Sequence, residues 1–262
     1  MKQQILSLLP SGHPWGPLVH YMDETDSTND RLKALARQGA PHGTTVIAGY
    51  QTAGKGRLGR SFHSPAGMGL YMSILLRLPC PPDMLMHLTC AAAVAACNAV
   101  ETAAGIRPGI KWTNDLVIGS KKLGGILTEL VTDKDGTCVI VGIGINCAHA
   151  PEDFPQEIAS MACSLAMAGA NCSAATLAAQ LLCAVESVSR ELLTGKKDLM
   201  AQYENDCITV GQDVCILQSG SVTHAHATGI GQDGQLLVIY PDGRHDEVCF
   251  GEVSVRGMYG YV

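Results

Sequence analysis

The sequence predicts a mixed α/β domain that is followed by a small domain of β-strands. Two apolar runs, residues 70–76 and 138–146, are typical of strands that are buried on both faces of a sheet. Residues 174–193 carry apolar side chains at the spacing of one helix face, which predicts a long amphipathic helix. From Ile208 onward the chain changes to short β-like runs separated by glycines.

Turn signals define the small second domain. Asp233-Gly234 and Asp242-Gly243 each separate two short β-prone runs, and Asp-Gly pairs favour the tight turns of hairpins. We therefore expect a five-stranded, barrel-like domain over residues 208–262. Residues 1–207 form the larger α/β domain in this interpretation.

The composition indicates a globular protein whose positive charge is local. The chain has 262 residues, 47% of them hydrophobic and 16% charged, and a net charge of −6 that argues against bulk binding to nucleic acid. None of the eleven cysteines forms a Cys-x-x-Cys pair, so we expect free thiols in a reducing cytoplasm rather than a zinc site. The longest apolar segment, residues 88–100, contains Thr89 and Asn98 and falls short of a membrane span.

The first 40 residues are predicted to form one strand and one helix. Residues 1–18 hold closely spaced prolines and glycines, which predict an irregular lead-in without room for a DNA-binding module. A strand is expected at 19–23. The polar run 26–30 offers several N-cap residues for a helix that Gly39 ends.

Ser27 and Thr28 have two interpretations at the start of that helix. Their hydroxyls could cap the helix, which is the ordinary role of such residues. A helix N-terminus with two hydroxyls is also suited to bind a small polar ligand through hydrogen bonds. The sequence leaves both open.

Further elements follow from the pattern of apolar runs and breakers. A helical region is expected to open at Asp83, with a small-sided part at 90–104 that can lie close under a sheet. The other predicted elements are strands at 109–112, 116–118 and 125–131, a turn at 133–136 and a short helix at 199–205. Gly142 and Gly144 interrupt the apolar strand 138–146 and leave room for a flat ligand against its backbone.

A glycine-rich basic loop, residues 51–60, follows the β-prone run 45–50. Three glycines and three cations alternate within residues 54–60, so backbone N–H groups and positive charge can be brought against an anion such as phosphate. The loop is not a P-loop, because Gly56 stands where Ser or Thr would bind magnesium. A solvated basic turn is the simpler alternative, but it would not need so many glycines.

A second basic constellation spans two predicted strands. Lys111 opens the run Lys-Trp-Thr-Asn-Asp, and Lys122 precedes a glycine pair eleven residues later. If 114–118 and 125–130 pair as a hairpin with its turn at Gly119-Ser120, both lysines can converge on one face. The alternative is that Lys121 and Lys122 are only solvated charges on that hairpin.

Taken together, these motifs resemble the biotin protein ligases, also called biotin–[acetyl-CoA-carboxylase] ligases. The family motif Gly-Arg-Gly-Arg-x-Gly-Arg appears at 54–60 with Lys55 for the first Arg, and Lys-Trp-Pro-Asn-Asp appears at 111–115 with Thr113 for Pro. Lys-x-x-Gly-Ile-Leu appears at 122–127. Residues 27–29 and 142–146 match in order and spacing, so the resemblance covers roughly residues 20–262. It implies a class II synthetase-like mixed sheet and a C-terminal SH3-like barrel.

The resemblance implies ATP-dependent ligation of biotin to a carrier lysine through biotinyl-5′-AMP, and it assigns roles by position. Lys122, Arg57 and Asp115 would be catalytic, with Asp115 either steering the acceptor lysine or helping to place metal. Biotin would contact Ser27, Thr28, Asn29, Gln51, Gly54, Lys55, Arg57, Lys122 and Gly124. The nucleotide would contact Arg57, Arg60, Phe62, Lys111, Asn114, Asn146 and Arg256, where Phe62 replaces the Trp of many members. Mg²⁺ would be held mainly by ATP phosphates, with no dedicated protein site.

Two alternative functions stay open on sequence grounds. A lipoate ligase of the same superfamily would activate an acid that lacks a ureido group. A sensor would hold biotin or its adenylate without transferring it. The expected partners are biotin, ATP and a biotin carboxyl carrier protein or domain, with no DNA and no membrane, and with a homodimer left open.

Overall fold

The computed structural model describes residues 1–79, 85–133, 136–192, 194–218, 220–249 and 253–257. The helices are α1 (Lys2–Leu8), α2 (Thr28–Arg37), α3 (Leu85–Ala104), α4 (Gln156–Ala159), α5 (Ala174–Glu191) and α6 (Lys196–Asp206). The strands are β1 (Val19–Met22), β2 (Thr45–Ala48), β3 (Gly69–Leu76), β4 (Gly109–Lys111), β5 (Asp115–Ile118), β6 (Lys121–Asp133), β7 (Gly136–Asn146), β8 (Asp213–Gln218), β9 (Ser221–Ile230), β10 (Leu236–Ile239), β11 (His245–Val248) and β12 (Val253–Gly257).

Seven strands form the larger sheet, in the order β1-β2-β3-β7-β6-β5-β4. β1 pairs with β2 in parallel, and the other neighbours pair antiparallel, so the sheet is mixed. β7 occupies the centre, as expected for an apolar strand buried on both faces. The turn of the β5–β6 hairpin falls at Gly119-Ser120, where the sequence predicts it.

Helices cover both faces of this sheet. On one face, α3 and α5 pack with side chains such as Val141 into the main hydrophobic core. On the other face, Leu32 and Ala36 of α2 pack against Leu75 and Ile140 in a second, smaller core. Because side chains alternate along a strand, the residues of β7 that share the α2 face continue beyond α2 at Gly142 and Gly144. That open end of the α2 face holds the cavity described below.

The C-terminal strands form a separate antiparallel sheet in the order β11-β10-β9-β8-β12. Its hairpins turn around Asp233-Gly234 and Asp242-Gly243, which confirms the predicted five strands and both turns. Trp112 Nε1 donates to Gly234 O at 2.9 Å, so the turn between β9 and β10 is fastened to the end of β4. Asp233 also contacts His87 of α3 and Lys196 of α6, each at 2.5 Å.

Several local predictions need correction. The lead-in is not irregular throughout, since Lys2–Leu8 is helical and buries Ile5 completely in the core. β6 is longer than predicted, because residues 124–133 pair with β7 and its first residues pair with β5. The predicted helix start at Asp83 lies outside the described residues, as do positions 134–135 of the predicted turn. No described helix is long and apolar enough to cross a membrane.

Candidate functional site

A cavity of about 570 Å³ opens on the α2 face of the large sheet. The glycine-rich loop, the first turn of α2, the β4–β6 strands and the glycines of β7 surround it. Its polar and charged lining residues are Ser27, Thr28, Asn29, Gln51, Lys55, Arg57, Arg60, Ser61, Lys111, Asn114, Asp115 and Lys122. Its apolar lining includes Phe62, Tyr71, Met72, Trp112, Ile126, Leu127, Ile143 and Met161. The two predicted constellations therefore meet in one place.

Neutral hydrogen-bonding groups lie at the α2 end of the cavity. Gln51 Oε1 accepts the backbone N–H of Thr28 at 2.8 Å, while Gln51 Nε2 donates to Ser64 Oγ at 2.9 Å. A loop side chain thus satisfies a donor at the helix N-terminus that would otherwise lack a partner. Ser27 is the N-cap residue but makes no side-chain cap hydrogen bond within the described structure, which removes the capping interpretation for its hydroxyl.

Positive charge lies at the opposite end, on the β5–β6 hairpin and the loop. Lys122 Nζ pairs with Asp115 Oδ1 at 2.6 Å. Arg57 donates from a terminal nitrogen to Asn114 Oδ1 at 3.0 Å, and Asn114 Nδ2 donates to the Ile126 carbonyl at 2.8 Å. Burial lowers the pKa of the Arg57 guanidinium from its ordinary value, although the Asp115 carboxylate opposes that shift. This end of the cavity is built to attract an anion.

The glycine-rich loop is closed against α2 by an ion pair. Lys55 Nζ lies 2.5 Å from Asp30 Oδ2, and this contact raises the pKa of the lysine ammonium. Residues 57–59 form a short 3₁₀ turn in which Leu58 and Gly59 both have positive φ, at 56° and 72°. This backbone carries Arg57 over the cavity.

The comparisons with known proteins agree with this geometry. A model of the biotin/lipoate A/B protein ligase family matches residues 21–146. The bifunctional ligase/repressor BirA of Bacillus subtilis is 38% identical over 226 residues, which are 85% of this chain and 70% of that protein. The biotin–[acetyl-CoA-carboxylase] ligase of Mycobacterium tuberculosis is 30% identical over 237 residues, 88% of this chain and 86% of that protein. The chain belongs to the biotin protein ligase family.

A solved biotin protein ligase shares the fold across nearly the whole chain. The protein from Aquifex aeolicus, in complex with biotin and ATP, superposes with a TM-score of 0.79 at 30% identity, covering 91% of this chain and 98% of that one. The mixed sheet and the C-terminal SH3-like domain expected from the resemblance are thereby confirmed.

Three residues assigned by resemblance to this ligase family are absent from the described cavity lining, and for a fourth no side chain is described. A Cβ on Gly54 would lie 2.5 Å from the Phe62 carbonyl, and one on Gly124 would lie 2.3 Å from the Gly144 carbonyl, so both glycines allow close backbone packing. Asn146 is buried and donates to the Cys163 carbonyl at 3.0 Å. Arg256 belongs to β12, and its side chain lies outside the described part of the structure.

The two glycines of β7 make room for the chain's own side chains. A Cβ on Gly142 would lie 2.2 Å from Asn29 Oδ1, and one on Gly144 would lie 2.6 Å from the Phe62 ring. Phe62 is the flat group that packs on Gly144 here, and since both glycines also line the cavity, a flat ligand against the strand stays a prediction. Tyr71, Met72 and Met161 line the cavity without having been predicted. The apolar run of β3 predicts a buried strand but does not indicate which of its residues reach the cavity, and we find no sequence signal for Met161.

No magnesium cage is formed by this ligase's described residues. Among them, no group of three or more His, Cys, Asp and Glu side chains could hold a metal ion. Asp115 is the one carboxylate among the described lining residues. Since Mg²⁺ often binds through one or two carboxylates together with substrate phosphates, this donor set fits a metal carried in by a nucleotide.

Proposed function

We propose that this protein is an ATP-dependent biotin–[biotin carboxyl carrier protein] ligase. The observation that carries the proposal is one cavity whose α2 end holds neutral hydrogen-bonding groups and the Lys55–Asp30 ion pair, and whose hairpin end holds Lys122 and Arg57. An acid with a polar, uncharged head and a distant carboxylate fits that division. Biotin has this chemistry, since its ureido ring and its carboxylate lie at opposite ends.

Biotin would lie with its ureido ring against Ser27, Thr28 and Gln51. Their hydroxyl and amide groups can both donate and accept, which matches a ring that carries two N–H groups and one carbonyl. Met72, Ile126 and Leu127 supply apolar surface along the cavity. The carboxylate then points towards Lys122. Asn29 would add an amide at the ureido end, and Lys55 would keep the loop closed through its ion pair with Asp30. Gly54 and Gly124 would contribute the close backbone packing described above.

In the first step, a biotin carboxylate oxygen attacks the α-phosphorus of ATP, and the bond from that phosphorus to the bridging oxygen of pyrophosphate breaks. Two anions must approach each other for this reaction. Lys122 and Arg57 would offset their repulsion and stabilise the charge that develops on the phosphoryl oxygens. Arg57 is already anchored by Asn114, so little reorganisation is needed when the nucleotide binds.

Nucleotide binding would use the remaining groups at the cationic end. Arg60 and Lys111 would contact phosphate oxygens, and the Phe62 ring would pack against the adenylate. Asn114 and Asn146 would act as neutral hydrogen-bonding groups, and we retain Arg256 as a candidate from β12. Mg²⁺ would neutralise charge on the triphosphate when bound, and Asp115 would offer it one oxygen.

In the second step, the uncharged amine of a carrier lysine attacks the carbonyl carbon of biotinyl-AMP. AMP leaves, the attacking nitrogen gives its proton to solvent, and an amide bond remains. As the alternative to offering an oxygen to Mg²⁺, the Asp115 carboxylate would draw in that lysine as an ammonium ion, which loses its proton to solvent before the attack. We also propose the domain boundary at residues 207 and 208, and a cytoplasmic location that suits the ten described free cysteines.

One assay tests this function. Purified protein would be incubated with ATP, Mg²⁺ and labelled biotin or lipoate, with and without a biotin carboxyl carrier domain. We expect biotinyl-AMP without the carrier and protein-bound biotin with it. Protein-bound lipoate without bound biotin would identify a lipoate ligase instead. Adenylate that is never transferred would identify a sensor.

A further inference from the structure

Four side chains form a continuous hydrogen-bonded relay behind the α2 end of the cavity. Asn29 Nδ2 donates to Glu129 Oε2 at 2.8 Å. Ser73 Oγ lies 2.5 Å from Asn29 Oδ1 and 2.7 Å from Thr28 Oγ1. Asn29, Ser73 and Thr28 are 3%, 0% and 4% exposed, so solvent does not supply alternative partners. Of the four relay residues, Thr28 and Asn29 are the two in the described cavity lining, so these two can face a ligand.

The number of available protons fixes which group donates and which accepts in each hydrogen bond of this relay. The Glu129 carboxylate, paired with Lys33, can only accept, so the Asn29 amide must turn its NH₂ towards it and its oxygen towards Ser73. That oxygen carries no proton, so the single Ser73 proton is donated to it. The 2.7 Å contact between Ser73 and Thr28 then requires the Thr28 proton.

The hydroxyl of Thr28 is thereby left as an acceptor. Gln51 Oε1, 3.1 Å from the Thr28 oxygen, could accept the same proton, but the shorter 2.7 Å contact with Ser73 would then hold two facing lone pairs, so the Thr28 proton goes to Ser73. Once the Thr28 proton points to Ser73, only lone pairs remain for the cavity. A ligand N–H is satisfied at this position, whereas a ligand acceptor is left facing another acceptor.

We infer that Glu129, through Asn29 and Ser73, fixes the Thr28 hydroxyl as a hydrogen-bond acceptor and so selects ligands that present an N–H at this end of the cavity. This rests on the proposed function, in which the ureido ring of biotin occupies that end. Glu129 is a positioning residue, because it acts on the ligand only through the relay. A dithiolane ring, as in lipoate, has no N–H to offer there.

Lys33 makes the inference testable with an isosteric change. Its Nζ lies 2.7 Å from Glu129 Oε1. In Glu129→Gln the new amide would turn its oxygen to the Lys33 ammonium and its NH₂ to Asn29. Asn29 can avoid facing that second donor only by flipping, which turns its own NH₂ towards Ser73. Ser73 then accepts from Asn29 and donates its proton to Thr28, so Thr28 is no longer fixed as an acceptor. Adding Lys33→Met removes the ammonium, so the introduced amide can again present its oxygen to Asn29.

The measurement is calorimetric binding of biotin and of biotin methylated on a ureido nitrogen, to the full chain and its variants. Glu129→Gln should weaken biotin binding about 10- to 100-fold, since one buried group loses its partner. The methylated analogue already lacks that N–H, so its affinity should change by less than about threefold in Glu129→Gln. The KM for ATP should likewise change by less than about threefold in this variant. Glu129→Gln/Lys33→Met should recover most of the biotin affinity, and Lys33→Met alone should stay near the parent.

Each outcome decides the inference. Selective loss for biotin in Glu129→Gln, with recovery in the double variant, supports the relay. Equal loss for both ligands, or no recovery in the double variant, would mean that Glu129 only stabilises the fold, and thermal unfolding of each variant would show that loss directly. A parent that forms biotinyl-AMP while Glu129→Gln keeps full biotin affinity would overturn the relay alone. A parent that binds no biotin would overturn the proposed function as well.

Discussion

Lys122 Nζ and Asp115 Oδ1 lie 2.6 Å apart at the cationic end of the cavity. The pairing follows from the hairpin, because β5 starts at Asp115 and Lys122 lies on the neighbouring strand opposite Val117. The ion pair with Asp115 positions the Lys122 ammonium before the substrates bind. A substrate carboxylate or phosphate can then contact the same ammonium. Such preorganised charge is the form in which electrostatic stabilisation is most effective.

Replacement of Lys122 by Ala should lower the rate of adenylate formation by about 10²–10³, because one preorganised donor at the reacting phosphate is lost. Pyrophosphate release with biotin and ATP measures this step. Lys121→Ala is the matched control, since Lys121 lies on the same strand but outside the described cavity lining, and it should keep parental activity. A folded Lys122→Ala variant within threefold of the parent would assign the role to Lys111 or Arg57.

Replacement of Arg57 by Gly should raise the rate of biotinyl-AMP dissociation by a larger factor than it lowers the rate of biotinyl-AMP formation. The guanidinium bridges the loop to Asn114 at 3.0 Å, and its loss removes both a phosphate contact and a tether of the loop. The freed anhydride would then acylate lysines of unrelated proteins. Adenylate dissociation and labelling of a bystander protein measure this effect.

Leu58→Gly is the control for the Arg57 experiment. It gives the same loop extra backbone freedom, at a residue whose φ is already positive, without removing a cation. We expect near-parental dissociation for it. If Arg57→Gly shows the parental rate of adenylate dissociation and no bystander labelling, the loop holds the adenylate through its backbone N–H groups or through Arg60.

Replacement of Gly144 by Ala should raise the KM for ATP about tenfold while leaving biotin affinity near the parent. The new Cβ would lie 2.6 Å from the Phe62 ring, which must move off the cavity wall. A double-mutant cycle checks this cause, because Gly144→Ala should have little further effect once Phe62→Ala has removed the ring. Additive effects of the two changes would show that the alanine acts on β7 itself.

Sequence patterns predicted those parts of the site that depend on neighbours along the chain. The hairpin turn at Gly119-Ser120 follows from local turn chemistry, and it brings Lys111 and Lys122 to one cavity as expected. The central position of β7 follows from its long apolar run, since only a strand covered on both faces can bury such a run.

Contacts between distant positions were not predictable in the same way. Asn29 and Glu129 are 100 positions apart, and no sequence pattern around either residue indicates that they form a hydrogen bond. Gln51 capping of α2 and the packing of Phe62 on Gly144 likewise depend on how the loop closes over the sheet. In α1, the helical pattern was too short to outweigh the nearby prolines and glycines, and tertiary burial of Ile5 decides the structure there.

Replacement of Ile5 by Ala should destabilise the protein by about 2–5 kcal/mol, because a fully buried side chain leaves a cavity between α1 and the core. Leu8→Ala on the same helix is the control, since Leu8 is 48% exposed and should change stability by less than about 0.5 kcal/mol. Urea unfolding monitored by circular dichroism gives the change in unfolding free energy for both variants. Equal effects of the two variants would mean that α1 contributes no packed core.

Acidification should destabilise the fold partly through His149. This residue is fully buried and stacks on Phe154, with ring centroids 4.6 Å apart. Burial, and secondarily the nearby His63, lowers the pKa of the His149 imidazole below its ordinary value of about 6.5. Below that ordinary value the unfolded chain binds a proton that the folded chain does not, so stability falls as the pH drops from about 6.5 towards the lowered folded pKa.

His149→Phe should therefore flatten the pH dependence of the unfolding free energy between about pH 7 and pH 5. Part of the slope should persist, because burial also lowers the pKa values of His13 and His42. Urea unfolding at several pH values measures the slope, and His20→Phe serves as the control because His20 is exposed on β1. A slope unchanged in His149→Phe but reduced in His20→Phe would show that burial of His149 does not govern the acid response.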